Sequence, residues 1–242
     1  MKREITGWHS PSLNKNMELV VYGDYGKPLL MFPTAGADYL EYERFELIES
    51  IKSIIDEGKF KVYSINRINN ESWLNDSVYP PHKSLRHGQY NQYVIEEVVP
   101  FIYKNCNGEV PIITAGASLG AYHAMNTFLR LPSVFRGTIA MSGVYDLKEY
   151  SKGHYDDHVY YNSPIDFLPN VRDEDYLNQM RNNLGVIIAS GQGEFEDPSS
   201  SISLSNILNS KSITHWLDLW GDDIRHDWTT WRDMLPYFLG KF

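Results

Sequence analysis

The most constraining feature of this sequence is a serine set between two glycines where a strand-like segment meets a helix-like one. An apolar run, Pro111 to Ala115, leads into Gly116-Ala-Ser-Leu-Gly120, and residues 121–130 have a helical composition. Small residues two positions before and after the serine permit a turn so sharp that larger side chains would collide with the adjacent strand and helix. The pattern therefore predicts a strained turn that presents the Ser118 hydroxyl, followed by a helix whose free N–H groups face the same place.

Strand-like and helix-like segments alternate along the whole chain. Strands are predicted over residues 3–10, 17–22, 29–32, 61–65, 111–115, 136–141, 185–190 and 213–219. Helices are predicted over residues 41–56, 85–103, 121–130, 173–183, 201–209 and 228–238. This alternation is typical of an α/β fold whose mainly parallel sheet is covered by helices on both faces. The first two strands are predicted to form an antiparallel hairpin.

The domain organisation is predicted to be simple. No internal repeat or low-complexity linker interrupts the 242 residues, so residues 1–242 are expected to form one domain. Residues 143–170 are irregular and rich in Tyr, Asp and His, which makes them the candidate for a small lid. Sites on such sheets lie at the carboxyl ends of the strands. The loops that leave those ends follow Phe32, Ala115, Ser190 and Leu219.

Charge and composition exclude several classes of protein. The formal net charge is −9, with 22 basic and 31 acidic residues and no Lys/Arg cluster, which argues against nucleic-acid binding. Residues 1–10 contain no apolar signal segment and no apolar run is long enough to span a membrane, so the expected location is cytoplasmic. Self-association into a homo-oligomer stays open. The single cysteine, Cys106, forms no intramolecular disulfide and is expected to be a surface thiol at a helix end.

A serine hydroxyl becomes nucleophilic when a base removes its proton and a third group holds that base in one tautomer. With a serine on this kind of turn, the chain order is serine, acid, histidine. The histidines after Ser118 are His123, His154, His158, His215 and His226. His226 follows the last predicted strand and precedes the last predicted helix, which is where the base belongs. His123 is expected to point away from the site, and His215 to lie inside a strand.

The acid is expected in the loop after Ser190, which offers Glu194, Glu196 and Asp197. The residues alone leave these three open. An oxyanion needs two N–H donors, of which one is expected to be the backbone of Leu119, directly after the nucleophile. The second is expected from Thr34 or Ala35, where a run of small residues lets a substrate approach the backbone closely.

A metal or cofactor is not expected. His154-Tyr-Asp-Asp-His158 places two histidines four residues apart, a spacing that binds zinc when the segment is helical. This segment does not have a helical pattern and lacks the glutamate of H-E-x-x-H. A loop without metal is therefore the prediction.

Two segments together resemble a known family. Gly116-Ala-Ser-Leu-Gly120 with Trp220-Gly-Asp-Asp-Ile-Arg-His-Asp-Trp-Thr-Thr-Trp-Arg232 resembles the putative esterase family of α/β-hydrolases. This branch holds esterase D (S-formylglutathione hydrolase), feruloyl esterases and mycolyltransferases. The helix that ends Glu96-Glu-Val-Val-Pro-Phe-Ile102 also fits, and the resemblance spans Leu29 to Phe242. Gly191-Gln-Gly-Glu-Phe-Glu-Asp197 resembles the family segment that carries the acid, which places the carboxylate at Glu196.

The resemblance implies an α/β-hydrolase fold and a serine esterase that acts on a small carboxylic ester or thioester. Ser118 would be the nucleophile, His226 the base and Glu196 the acid, with an acyl-enzyme as intermediate. Two alternatives stay open: an acyltransferase that uses the same acyl-enzyme, and a non-catalytic binding protein on a hydrolase fold.

Overall fold

The computed structural model describes residues 1–242, which form a sheet of eight strands. The strands are β1 (Arg3–Ser10), β2 (Lys15–Tyr22), β3 (Lys27–Phe32), β4 (Phe60–Ile65), β5 (Ile112–Ala117), β6 (Phe135–Met141), β7 (Gly185–Ser190) and β8 (Trp216–Leu219). Their order across the sheet is β1-β2-β4-β3-β5-β6-β7-β8. β2 pairs antiparallel with β1 and β4, and every other pair is parallel. The predicted fold class and the N-terminal hairpin are confirmed.

Helices cover both faces of this sheet. They are α1 (Glu41–Arg44), α2 (Leu47–Ser50), α3 (Lys52–Asp56), α4 (Pro80–Tyr93), α5 (Val99–Asn105), α6 (Leu119–Arg130), α7 (Asp157–Tyr160), α8 (Pro164–Phe167), α9 (Glu174–Arg181), α10 (Pro198–Ser210) and α11 (Trp228–Leu239). A π-helical turn, Val94–Val98, joins α4 to α5, and 3₁₀ turns occupy Asn69–Glu71 and Leu168–Asn170. None of the helices has the length and apolar content that crossing a lipid bilayer requires.

Three sequence predictions differ from the structure at the backbone. Residues 41–56 form three short helices instead of one, because the helical backbone is interrupted twice. Glu46 is left-handed with φ 62°, and Ile51 leaves the helical region with φ −108° and ψ 9°. The helix predicted over 85–103 begins earlier, with Pro80 and Pro81 in its first turn, where a missing N–H has no cost. The last strand begins at Trp216, so His215 lies in the loop before it and not inside a strand.

Alternation of side chains along β3 shows how the two sides of the core are built. Leu30 and Phe32 belong to a cluster of 33 buried residues on one face of the sheet. Leu29 and Met31 belong to a cluster of 23 buried residues on the other. Because both faces are buried, the central strands have continuous apolar sequences, and their carboxyl ends form a rigid edge from which the site loops emerge.

Candidate active site

Ser118 occupies the sharp turn between β5 and α6. Its backbone has φ 56° and ψ −126°, a conformation that non-glycine residues rarely adopt. Its N–H donates to the carbonyl of Met141 at 2.9 Å, which anchors the turn to the end of β6. The side chain stays partly exposed while residues 112–117 and 119–129 are buried, so the turn presents its hydroxyl to solvent.

The two glycines of the turn are required by close backbone contacts. A Cβ on Gly116 would lie 2.2 Å from the carbonyl oxygen of Gly120. A Cβ on Gly120 would lie 2.3 Å from the carbonyl oxygen of Phe32. Both obstacles are main-chain atoms, which cannot move aside as a flexible side chain would. The glycines therefore allow α6 to start directly against β5 and β3.

Replacing Gly116 or Gly120 by alanine is expected to lower the free energy of unfolding by about 3 kcal/mol or more, because the added methyl group meets backbone. Gly108→Ala is the matched control, since a Cβ there meets nothing within 4 Å. Thermal and urea denaturation followed by circular dichroism measure the difference. Equal stability of Gly120→Ala and Gly108→Ala would contradict this account of the turn.

The structure separates the three carboxylates that follow β7. Glu194 is exposed and its carboxylate lies 3.4 Å from Arg225. Asp197 caps α10 by accepting a hydrogen bond from the N–H of Ser199 at 3.0 Å. Glu196 is the one turned inward: its side chain is 1% exposed and its Oε2 lies 3.5 Å from Nδ1 of His226.

The Glu196 carboxylate is held by hydroxyl groups on both oxygens. Ser142 donates to Oε1 at 2.5 Å and Ser190 donates to Oε2 at 3.1 Å. Trp231 in turn donates its indole N–H to the Ser142 hydroxyl at 3.0 Å, which directs that hydroxyl's own proton to Glu196. Burial alone would raise the pKa of Glu196, but the interactions with His226, Ser142 and Ser190 outweigh it and lower the pKa. The carboxylate is therefore ionised and fixed in orientation.

The loop that carries Glu196 and the loop that carries His226 are joined backbone to backbone. The N–H of Gly193 donates to the carbonyl of Ile224 at 2.9 Å, and the N–H of His226 donates to the carbonyl of Glu194 at 3.1 Å. A Cβ on Gly193 would lie within 2.7 Å of that same Ile224 oxygen, so glycine makes this approach feasible. The ring of His226 also meets the ring of Trp231 edge to face, with centroids 5.1 Å apart.

The loop after β3 contains the two candidates for the second oxyanion donor. The N–H of Thr34 donates to Glu41 Oε2 at 2.7 Å, and its hydroxyl donates to Oε1 at 2.5 Å. The Thr34 amide is therefore already engaged by a carboxylate. The amide of Ala35 has no backbone or side-chain acceptor. Leu119 is the first residue of α6, and N–H groups in a first helical turn have no partner within the helix.

A second set of contacts fixes this loop. Asn69, fully buried, donates to the carbonyls of Thr34 and Ala35 at 3.4 and 3.2 Å and faces His123 Nε2 at 2.8 Å through its Oδ1. Burial lowers the pKa of His123 to about 3, so this histidine is neutral and structural. Sequence patterns did not indicate Glu41 or Asn69, since each acts through a contact that depends on the folded chain.

One wall beside Ser118 is apolar. Five buried side chains form it: Trp73, Leu119, Tyr122, Leu147 and Val159. Three partly buried residues pack against them: Ala35, Val144 and Tyr150. Lys83 joins two parts of this wall, because its buried ammonium donates to the carbonyls of Trp73 and Tyr150, each at 3.3 Å. Residues 143–170 are thereby attached to the segment that precedes α4.

The histidine pair considered for a metal does not form a ligand cluster. His154 Nε2 lies 2.8 Å from Asp156 Oδ2, and Asp156 also caps α7 through the N–H of Val159. No group of three or more His, Cys, Asp or Glu side chains in the chain is arranged to hold a metal ion. His154 and Asp156 instead order the start of α7.

The chain matches a known protein family and is similar in structure to known hydrolases. The model of the family described as "Putative esterase" matches residues 46–239. A ferulic acid esterase is similar in structure, with 17% identity, a TM-score of 0.76 and coverage of 99% of this chain and 98% of that one. The S-formylglutathione hydrolase of Staphylococcus aureus gives 15% identity, a TM-score of 0.74 and coverage of 99% and 98%.

A third similar structure is FphF, a fluorophosphonate-binding serine hydrolase of Staphylococcus aureus, with 15% identity, a TM-score of 0.73 and coverage of 99% of this chain and 97% of that one. At these identities the structural likeness establishes the fold, and the predicted α/β-hydrolase fold is confirmed. The comparison with curated proteins finds no match.

Proposed function

Because the chain belongs to the putative esterase family, an enzyme family that hydrolyses esters, we propose that it acts through an acyl-enzyme on Ser118 with a Ser118-His226-Glu196 triad. The observation that carries the proposal is the buried Glu196 carboxylate at 3.5 Å from His226, on loops that leave the same sheet edge as Ser118. A buried carboxylate beside an imidazole is how the base that activates a nucleophilic serine is held in orientation.

In the proposed reaction the Ser118 hydroxyl attacks the ester carbonyl while His226 takes its proton. His226 then returns that proton to the leaving alcohol or thiol, and water hydrolyses the acyl-enzyme by the same route in reverse. Glu196 holds the imidazole in the tautomer with Nδ1 protonated. Ser118 and His226 are not hydrogen-bonded in this structure, and such contacts commonly tighten only with substrate present.

We assign the oxyanion hole to the N–H groups of Leu119 and Ala35. Of the two candidates from the sequence, Thr34 and Ala35, we choose Ala35 because the Glu41 carboxylate already accepts the Thr34 N–H. An N–H with such a strong acceptor is a poor donor to a developing oxyanion. Glu41 is instead a positioning residue, since holding Thr34 fixes the backbone of the next residue beside the turn.

The substrate class that the site favours is a small carboxylic ester or thioester. The partly buried members of the apolar wall, Ala35, Val144 and Tyr150, provide a surface for the acyl group or the leaving group, and the buried Trp73, Leu119 and Leu147 support them from behind. Residues 143–170 supply part of this wall and are proposed as the lid. Their attachment through Lys83 to the segment before α4 means that any lid motion involves both segments.

A fluorophosphonate probe tests the proposal directly. The intact protein is expected to be labelled once, on the peptide that contains Ser118, because only a serine activated by a base reacts with this reagent. Mass spectrometry of the digested protein locates the label. Labelling should fall sharply in His226→Ala and remain in Ser77→Ala, a loop serine used as control. Absence of label, or a label on another serine, would overturn the assignment.

A further inference from the structure

A cavity of about 480 Å³ lies at the end of the sheet opposite Ser118. Its lining comes from the amino ends of β3, β4 and β5 and from the residue before β7, whereas Ser118 follows the carboxyl end of β5. A strand of six residues is about 20 Å long, so the cavity is separate from the triad. None of the residues that line this cavity takes part in the proposed reaction.

The one buried charged group in the lining is the ammonium group of Lys61. The second lysine of the lining, Lys27, is exposed and its Nζ donates to the backbone oxygen of Phe242 at 2.5 Å. Lys61 is 7% exposed and its Nζ donates to the carbonyl of Asn105 at 3.1 Å, with no carboxylate within ion-pair distance. The Tyr63 ring centroid lies 5.9 Å from this ammonium group. An ammonium group has three N–H donors, so one neutral acceptor leaves two N–H groups for a ligand that enters the cavity. Asp24 also lines the cavity, but its carboxylate is directed to Lys2 Nζ at 3.5 Å.

Beside the polar side chains of Lys27, Asn105 and Asn107, the lining has an apolar part. Val110, Pro111, Ile113 and Leu184 contribute hydrocarbon surface, and Tyr25 contributes a ring that rests on Gly58, where a Cβ would lie 1.9 Å from it. Pockets that bind small molecules combine such apolar walls with a few well-placed polar groups, within a volume of roughly 300–1,000 Å³. This cavity has that composition and that size.

We propose that the cavity binds a monocarboxylate with an apolar body. The carboxylate would lie against Lys61 and supply the missing counter-charge, and the hydrocarbon part would cover Ile113 and Leu184. A single buried cation with apolar walls favours such an anion over inorganic phosphate, which would bring two charges and no hydrocarbon. The site is independent of the triad and does not depend on the proposed esterase activity.

Cys106 makes the proposal measurable. It is the only cysteine, it lines the cavity and it is partly buried, with its Sγ 3.2 Å from the hydroxyl of Tyr63. The rate at which an aromatic disulfide reagent modifies Cys106 therefore reports whether the cavity is filled. The probe is octanoate, compared with octanol and inorganic phosphate, in a Ser118→Ala background that removes any contribution from ester chemistry.

Octanoate is expected to slow the modification of Cys106 in a saturable way, octanol less, and phosphate not at all. Lys61→Met should raise the half-protecting octanoate concentration by about tenfold or more, because a charge-assisted hydrogen bond is lost. Lys104 is an exposed residue outside the lining, so Lys104→Gln should leave the half-protecting octanoate concentration unchanged. If octanoate does not change the rate of Cys106 modification, the proposal is overturned. Protection by octanoate that is as strong with Lys61→Met as with Lys61 would also overturn it.

Circular dichroism checks that Lys61→Met folds. Leu184→Asp gives a second variant at a half-exposed position, where a new charge is tolerated by the fold but repels the bound carboxylate. Octanoate protection is expected to disappear in it. Protection that persists in Leu184→Asp would also refute the site.

Discussion

Replacing Ser118 by alanine is expected to lower kcat for p-nitrophenyl acetate by a factor on the order of 10⁴ or more. The substitution removes the hydroxyl oxygen that is proposed to form the acyl-enzyme. The other serine with positive φ at a strand end near this site, Ser142, already uses its hydroxyl on Glu196 and Trp231. Initial rates at saturating substrate measure the effect. A variant that turned over the ester at the wild-type rate would exclude Ser118 as the nucleophile.

The Ser118→Ala variant separates chemistry from folding. Alanine has the same Cβ as serine, so the strain at φ 56° is unchanged, and the hydroxyl that is lost makes no hydrogen bond in the folded chain. The melting temperature is therefore expected to stay close to that of the parent. Ser77→Ala provides the matched control for activity, because it removes a loop hydroxyl outside the site.

Replacing Glu196 by glutamine is expected to lower kcat by a factor on the order of 10³ or more. The amide keeps the shape of the side chain but can present an N–H to His226, which favours the wrong tautomer of the imidazole. Glu194→Gln and Asp197→Asn are the controls, since the first is exposed and the second retains a helix-capping side chain. Equal losses in all three variants would refute the choice of Glu196.

The wild-type protein has a pH-dependent stability that follows from the lowered pKa of Glu196, and Glu196→Gln lacks this contribution. A carboxyl whose folded pKa lies below its unfolded value of 4.5 stabilises the protein fully above pH 4.5. That contribution is lost as the pH falls through the folded pKa. The difference in unfolding free energy between the wild type and Glu196→Gln should therefore be largest at neutral pH and shrink below about pH 4.5. A difference in unfolding free energy that stays constant from pH 7 to below pH 4.5 would contradict this account.

Local steric rules explain why the Ser118 turn could be predicted. Gly116 and Gly120 are dictated by contacts within a few residues of the serine and with the neighbouring strand, so a short sequence window carries the information. The strands of the central sheet were predictable for a similar reason, because burial on both faces requires continuous apolar runs such as β3.

Features that depend on distant contacts could not be derived in this way. The loop after Ser190 contains three carboxylates, and the hydroxyls of Ser142 and Ser190 that receive Glu196 become adjacent to it only when the chain folds. The residue pattern therefore left the acid open, and only the family resemblance selected Glu196. The engagement of Thr34 by Glu41 likewise depends on how the loop after β3 folds back on the start of α1, which no residue pattern indicates.

The joined loops of Glu196 and His226 have a consequence for how specificity could be altered. Their backbones are hydrogen-bonded to each other at Gly193 and His226, so the proposed base and the carboxylate that would orient it lie on one unit at the C-terminal half of the sheet. The accessible part of the apolar wall, at Ala35, Val144 and Tyr150, is supplied by other segments of the chain. Substitutions in that wall should therefore change which esters are preferred without moving His226 relative to Glu196.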